Sequence, residues 1–209
     1  MKSIHFFGKK RIFLIAILVF LFILPSFSYF VTYKEQYYRL FHVHYQQYPD
    51  DIMENIYWLE KAVAADFSNP KYALTKIDDE KDWEKYRSVF MMHLNLKLIE
   101  QHLRLGGKYD KGKVYFYDAP FREALLFELE RAESCYQAGL YYWREAKLWA
   151  EKASEKKFYF LNLSGIQNWE DERERIINGK LNYEKIITRE LKRIAENKAY
   201  LLAMDENTY

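Results

Sequence analysis

The first 33 residues constrain this chain more than any other feature. Residues 12–33 run for 22 positions without a charged side chain, and they directly follow the basic cluster Lys9, Lys10 and Arg11. About 20 such residues are enough for a helix to cross a bilayer. Because Lys and Arg beside a membrane span stay on the cytoplasmic side, the sequence predicts an N-terminus in the cytoplasm. Everything beyond residue 33 is then expected on the far side of the membrane.

A cleavable signal peptide is the alternative interpretation of the same segment. Residues 12–24 match its apolar core, and Ser26 and Ser28 have the spacing of a cleavage site. We favour a retained anchor, since the uncharged run is long and the bulky residues Phe27 and Tyr29 lie beside the proposed cleavage site. Both interpretations export the same domain. The retained anchor predicts a single-pass protein of the inner membrane with its C-terminal domain in the periplasm.

The composition of the exported part excludes some functions. Four of the 32 basic residues precede the span, so residues 34–209 carry 28 basic against 30 acidic side chains, a formal charge of −2. A nucleic-acid groove is therefore not expected. With 19 Tyr, 15 Phe and 5 Trp the chain is expected to fold, and 7 Gly and 4 Pro leave few turns. The single cysteine, Cys135, is predicted to be a small buried apolar residue.

Helical periodicity continues through the rest of the chain. Aromatic residues at spacings of three and four predict a juxtamembrane helical stalk over residues 34–50. This stripe packs on the protein's own domain or forms a docking seam, and the sequence leaves both open. Its members are Tyr33, Tyr37, Phe41, Tyr45 and Tyr48.

Further helices are predicted from apolar spacing and from capping residues. Residues 108–118 are predicted to be a loop in which 114–117 lie against the domain or form a short strand. The helix after Pro120 is either one long helix or a hairpin bent at Gly139. The predicted helices are 51–66, one from about Asp79 to a stop at Gly106-Gly107, 121–153, 168–177 and 183–201.

Three segments carry a resemblance to a repeat family. Residues 59–70 look like the second helix and exit turn of a tetratricopeptide repeat (TPR), and residues 143–153 are similar to the same helix. Residues 179–186 resemble the glycine turn between the two helices of a repeat. The resemblance implies an all-α fold: an N-terminal transmembrane helix followed by a TPR-like antiparallel helical array. The predicted parts are 1–11 (cytoplasmic), 12–33 (anchor), 34–50 (stalk) and 51–209 (helical domain).

An anchored TPR-like domain in a chain rich in lysine, isoleucine and tyrosine resembles the periplasmic collar proteins of the spirochaete flagellar motor. That resemblance implies a role in assembly. The expected partners are other periplasmic or membrane proteins, including collar and stator subunits and further copies of the chain.

Few residues suggest a catalytic or metal-binding site. Ser154 and Lys157 have the Ser-x-x-Lys spacing of penicillin-binding enzymes, but the companion motifs are absent from the sequence. His42 and His44 share a face only in an extended strand, whereas the aromatic stripe predicts a helix. We therefore expect no enzyme, no metal and no cofactor.

The leading prediction is a membrane-anchored periplasmic scaffold or adaptor. Two alternatives from other classes stay open: a peptidoglycan-related cell-envelope enzyme or its regulatory subunit, with Glu128 or Glu130 as acid-base groups, and a periplasmic chaperone. The candidate partner-binding residues are Tyr37, Phe41 and Tyr45 on the stalk, with Trp143 and Trp149 on the array. Trp149 lies off the apolar stripe of its helix, whereas Trp143 is expected in the core.

Overall fold

The computed structural model describes residues 30–110 and 121–204. The chain divides into two units, Met1–Val31 and Thr32–Tyr209, and all the described helices belong to the second. These helices are α1 Lys34–Gln47, α2 Ile52–Ala64, α3 Glu80–Asp110, α4 Arg122–Ala153, α5 Gln167–Ile177 and α6 Tyr183–Ala203, with a short 3-10 turn at Pro70–Tyr72. Apart from one isolated β-bridge, between Tyr33 and Asp66, these residues hold no extended pairing. The all-α prediction is therefore confirmed for the described part of the chain.

The helix starts follow from side-chain caps, as the sequence indicates. The Asp51 carboxylate accepts a hydrogen bond from the Glu54 amide, 3.3 Å away. The Asp79 carboxylate accepts from the amides of Lys81 and Asp82 at 2.8 and 3.0 Å. Each cap satisfies amides that have no partner inside their own helix. The predicted turn between α5 and α6 is also present, with Gly179 at a φ of +68°.

Helix α3 is the axis of the domain. From Lys85 to Ile99 every residue is buried except Arg87, which is exposed, and Lys97, which is half-buried. Helices α2, α4 and α5 all pack on it. A helix buried on every side belongs to the centre of a core, whereas an amphipathic surface helix buries only one stripe.

The neighbouring helices run in alternating directions. In the α1–α2 pair, His44 hydrogen-bonds to Asn55 near the turn, and Lys34 binds the Ala62 carbonyl at the far end. Helices α4 and α6 are linked by ion pairs from Lys147 to Glu184 and from Lys198 to Glu133, both 3.0 Å long. Since the sequence numbers rise in one helix as they fall in the other, both pairs are antiparallel.

One helix boundary differs from the prediction: α3 does not stop at Gly106-Gly107 but continues to Asp110. Of the two alternatives for the helix after Pro120, the structure has the single long helix, since α4 runs for 32 residues through Gly139. The physical reason is close packing. A Cβ atom at Gly106 would lie 2.9 Å from the Tyr136 ring, and one at Gly139 would lie 3.3 Å from Ile187. These glycines make room for a neighbouring side chain and do not end a helix. The predicted loop segment 114–117 lies outside the described residues.

The predicted localisation needs correction. Among residues 30–110 and 121–204, no helix combines the length and the hydrophobicity that a membrane crossing requires. This finding contradicts a single-pass protein of the inner membrane. The greater part of the predicted span, residues 12–29, lies outside the described residues. At its end Tyr33 has an extended backbone, with φ −106° and ψ 152°, and α1 begins at Lys34.

Alanine substitutions at the two neighbouring glycines of α3 should change the free energy of unfolding in opposite directions. Gly107→Ala meets no atom within 4 Å and should raise the free energy of unfolding by about 0.5–1 kcal/mol, because alanine loses less backbone entropy in a helix. Gly106→Ala should lower it, since the new methyl group pushes the Tyr136 ring away from Asp110. Urea denaturation measures both. Equal gains in the two variants would show that α3 and α4 do not approach each other at Gly106.

Candidate functional site

A chain of three polar side chains joins α1, α3 and α5. The Tyr38 hydroxyl lies 2.9 Å from Nε2 of His93, and Nδ1 of His93 lies 2.6 Å from Oε2 of Glu172. Burial raises the pKa of the Tyr38 hydroxyl, and the negative charges of Glu172 and Glu100 raise it further. Tyr38 therefore keeps its proton. In the tautomer that accepts the Tyr38 hydroxyl hydrogen bond at Nε2, Nδ1–H of His93 donates a hydrogen bond to Glu172.

This arrangement resembles an acid-base relay, but its surroundings are closed. His93 is 5% exposed, and its ring stacks on Trp169 with 4.7 Å between the centroids. The Tyr38 ring meets Phe90 edge-on at 5.4 Å. A catalytic relay has to present its first member to a substrate. Here the aromatic rings cover His93, whereas Tyr38 and Glu172 are half-buried. The three side chains link α1, α3 and α5.

A buried ion pair fixes α5 and the loop before it. Lys85 lies 2.5 Å from Glu170, and neither side chain is more than 3% exposed. Glu170 also accepts hydrogen bonds from the Leu161 amide and from Arg173, and Lys85 donates to the Tyr159 carbonyl. Burial lowers the pKa of Lys85, and the charge of Glu170 counteracts this. Because each charged group has several partners, the pair acts as a clamp between α3 and α5.

An open cleft lies between α3 and α4. It has a volume of about 130 Å³, and it is lined by Phe67, Glu84, Arg87, Ser88, Trp149 and Lys152. Ser88 is buried at the floor, whereas Arg87 and Lys152 are exposed at the rim. The neighbouring positions of α3 on either side of Ser88 carry larger side chains, Arg87 and Val89. We call this feature the Trp149 cleft.

The charges at the Trp149 cleft are unevenly paired. Glu84 forms an ion pair with Lys157, 2.7 Å away, which holds the pKa of Glu84 below its usual value. The Lys152 ammonium lies 5.0 Å from the centroid of the Trp149 ring. The Arg87 guanidinium lies 5.8 Å from the Trp83 centroid. The rim is therefore cationic, and it borders on aromatic faces.

The size of the Trp149 cleft limits what it can hold. Sites for drug-sized ligands and cofactors are typically about 300–1,000 Å³. A cleft of about 130 Å³ is smaller than this range and has room for a group of about the size of one side chain. Among residues 30–110 and 121–204, no three His, Cys, Asp or Glu side chains cluster as a metal site requires.

The five candidate partner-binding residues fall in different environments. Phe41 and Trp143 are each 3% exposed and belong to the core. Tyr37 stacks on Trp58, and Tyr37 and Tyr45 both pack against the core to which Phe41 belongs, so the middle of the aromatic stripe of α1 packs on the protein's own domain. Tyr33 and Tyr48, at the two ends of the stripe, are exposed. Of the five, Trp149 lines a cleft. Whether any of them binds a partner stays a prediction.

The acid-base candidates of the enzyme alternative are not brought together. Glu128 pairs with Arg131 on the same helix, whereas Glu130 faces Lys198 of α6 at 4.0 Å. Because Glu128 and Glu130 are two positions apart on a helix, their side chains point to different sides.

Sequence reasoning missed five lining residues of the Trp149 cleft, namely Phe67, Glu84, Arg87, Ser88 and Lys152. They come from a turn and two helices, and a single sequence does not show which helix faces which. The sequence did contain one indication of the site. Trp149 lies off the apolar stripe of its helix, which indicates a large aromatic side chain outside the core.

Comparisons with known proteins give one match. The family model described as Domain of unknown function (DUF8513) matches residues 81–204, more than half of the chain. The matched part covers nearly all of α3 and the whole of α4 to α6, and it includes every lining residue of the Trp149 cleft except Phe67. No curated protein and no solved structure matches the chain.

His102 is a half-buried imidazole on α3 whose two ring nitrogens have no hydrogen-bond partner among the described residues. It stacks on Tyr142 with 5.4 Å between centroids, and the Tyr142 hydroxyl donates to Glu60. Burial lowers the pKa of His102 to about 4, from an ordinary value of 6.5. Above pH 6.5 the ring is therefore neutral in both the folded and the unfolded chain.

We expect the free energy of unfolding to fall at low pH because of His102. Between pH 6.5 and about 4 the unfolded chain binds a proton at His102 that the folded chain does not, so stability falls as the pH falls through this window. The loss is at most about 3 kcal/mol. His102→Phe keeps the stacking and removes the titration, so its free energy of unfolding should depend less on pH there. Urea denaturation at several pH values tests this, and parallel curves for the two proteins would contradict it.

Proposed function

The chain belongs to the family described as Domain of unknown function (DUF8513), and we propose that its helical domain is an adaptor that binds another protein through the Trp149 cleft. The observation that supports this proposal is a cleft of side-chain size on the surface of an otherwise closely packed helical core. Protein interfaces depend on a few large anchor side chains that enter such pockets.

The Trp149 cleft has the anatomy of a small interface centre. Phe67 and Trp149 supply aromatic surface, and both are half-buried, so each keeps some area to offer. Ser88 lies at the floor, and the charged groups stand at the rim. Interfaces commonly combine an apolar centre with a polar edge in this way.

The support for this site comes from long, well-anchored elements. Glu84, Arg87 and Ser88 belong to α3, the most enclosed helix, and Trp149 and Lys152 belong to α4. The clamp from Lys85 to Glu170 lies one residue after Glu84. A binding site on rigid helices loses little conformational entropy when a partner binds.

A TPR-like arrangement is the finer part of this proposal. Helices α1 and α2, with 14 and 13 residues, have the lengths of one repeat, and residues 59–70 form the end of α2 and the turn after it. Helices α3 and α4 are more than twice as long. We therefore assign TPR-like character to the α1–α2 pair, which packs on the long α3–α4 pair. The resemblance to flagellar collar proteins stays a prediction, and the adaptor role does not depend on it.

Photocrosslinking in the native cells tests the proposal. A photoreactive phenylalanine replaces Glu80, which is exposed and lies one helical turn before Glu84. We expect a discrete crosslinked species, its loss in Trp149→Ser, and its persistence in the control Tyr141→Ser, which removes an exposed aromatic residue elsewhere on α4. Circular dichroism confirms that both variants keep their helical content. No adduct, or one that survives Trp149→Ser, would contradict the proposal.

A further inference from the structure

The rim of the Trp149 cleft carries positive charge that the described residues do not neutralise. Arg87 and Lys152 are exposed, and neither makes an ion pair with a carboxylate of residues 30–110 or 121–204. The Arg87 guanidinium lies over the Trp83 ring and the Lys152 ammonium over the Trp149 ring, and both charges also act on Glu84 from beyond ion-pair distance. Both cations are therefore available to a carboxylate from outside.

The one acidic residue that lines the Trp149 cleft is already engaged. Glu84 binds Lys157 at 2.7 Å, and Lys157 also binds Glu155 at 3.2 Å. The Lys157 hydrogen bond is the main cause of the lowered pKa of Glu84, and the charges of Arg87 and Lys152 add to it. Arg87, Lys152 and Lys157 thus face two carboxylates, which leaves an excess of positive charge at the rim.

We infer that the occupant of the Trp149 cleft is an acidic protein segment in which an apolar or aromatic side chain enters between Phe67 and Trp149 while flanking Asp or Glu residues pair with Arg87 and Lys152. This inference rests on the proposed adaptor function and names the chemistry of its partner. A basic segment is disfavoured, since its charges would face Arg87 and Lys152.

The two interactions have separate roles. Burial of the apolar side chain provides most of the affinity, because its surface leaves water. Exposed ion pairs contribute little individually, roughly five-fold in affinity at most. They decide which segments bind and how fast they associate, and this contribution weakens as salt increases.

A selection of random heptapeptides displayed on phage, with the purified full chain as bait, tests the inference. We expect the recovered peptides to combine an apolar or aromatic residue with two or more Asp or Glu residues. A representative peptide, synthesised with a fluorophore, should bind several-fold more weakly to the double variant Arg87→Gln/Lys152→Gln. The matched control Lys185→Gln/Lys192→Gln removes the same charge from the exposed face of α6 and should leave the affinity unchanged.

The outcomes separate the inference from the proposed function. Peptides that need Trp149 but show no preference for Asp or Glu would overturn the acidic partner and leave the adaptor function standing. An acidic preference that persists in Arg87→Gln/Lys152→Gln, or that is lost equally in the α6 control, would also overturn the acidic partner. If no recovered peptide loses affinity in Trp149→Ser, the adaptor function through this cleft fails as well.

Discussion

The burial of α3 on every side is the constraint on which the rest of the structure depends. A helix in this position has to satisfy its polar side chains from its neighbours, because water cannot reach them. Lys85 is matched by Glu170, His93 by Tyr38 and Glu172, and Asp110 by Tyr136 and Arg193. These partners come from α1, α4, α5 and α6. The polar positions of α3 therefore fix where four other helices lie.

The Trp149 cleft is where this enclosure is interrupted. Within the stretch from Lys85 to Ile99, Arg87 is the exposed residue, and Ser88 beside it is one of the smallest. Helix α4 packs on α3 and buries several alanines, whereas Trp149 stays half-buried and lines the cleft. A local break in otherwise tight packing thus creates a site on a rigid frame, and this links the fold to the proposed adaptor role.

The sequence was informative where local chemistry decides the structure. The caps at Asp51 and Asp79, the turn at Gly179 and the buried Cys135 all depend on neighbours along the chain. It was misleading or undecided where contacts between helices determine the structure. Gly106 makes room for Tyr136 and ends no helix. For the aromatic stripe of α1, the sequence left packing on the domain and docking both open. The Trp149 cleft depends on the register of α3 against α4, which a single sequence does not contain.

Native-state hydrogen exchange tests the central role of α3 most directly. The amides from Tyr86 to Ile99 should exchange only through global unfolding and should be the slowest of the chain, because every neighbouring helix has to leave before they open. The amides of α5 and α6 should exchange through smaller openings with lower free energies. If the α3 amides exchange as easily as those of α5 or α6, the domain has no enclosed central helix, and the dependence of the fold on α3 is refuted.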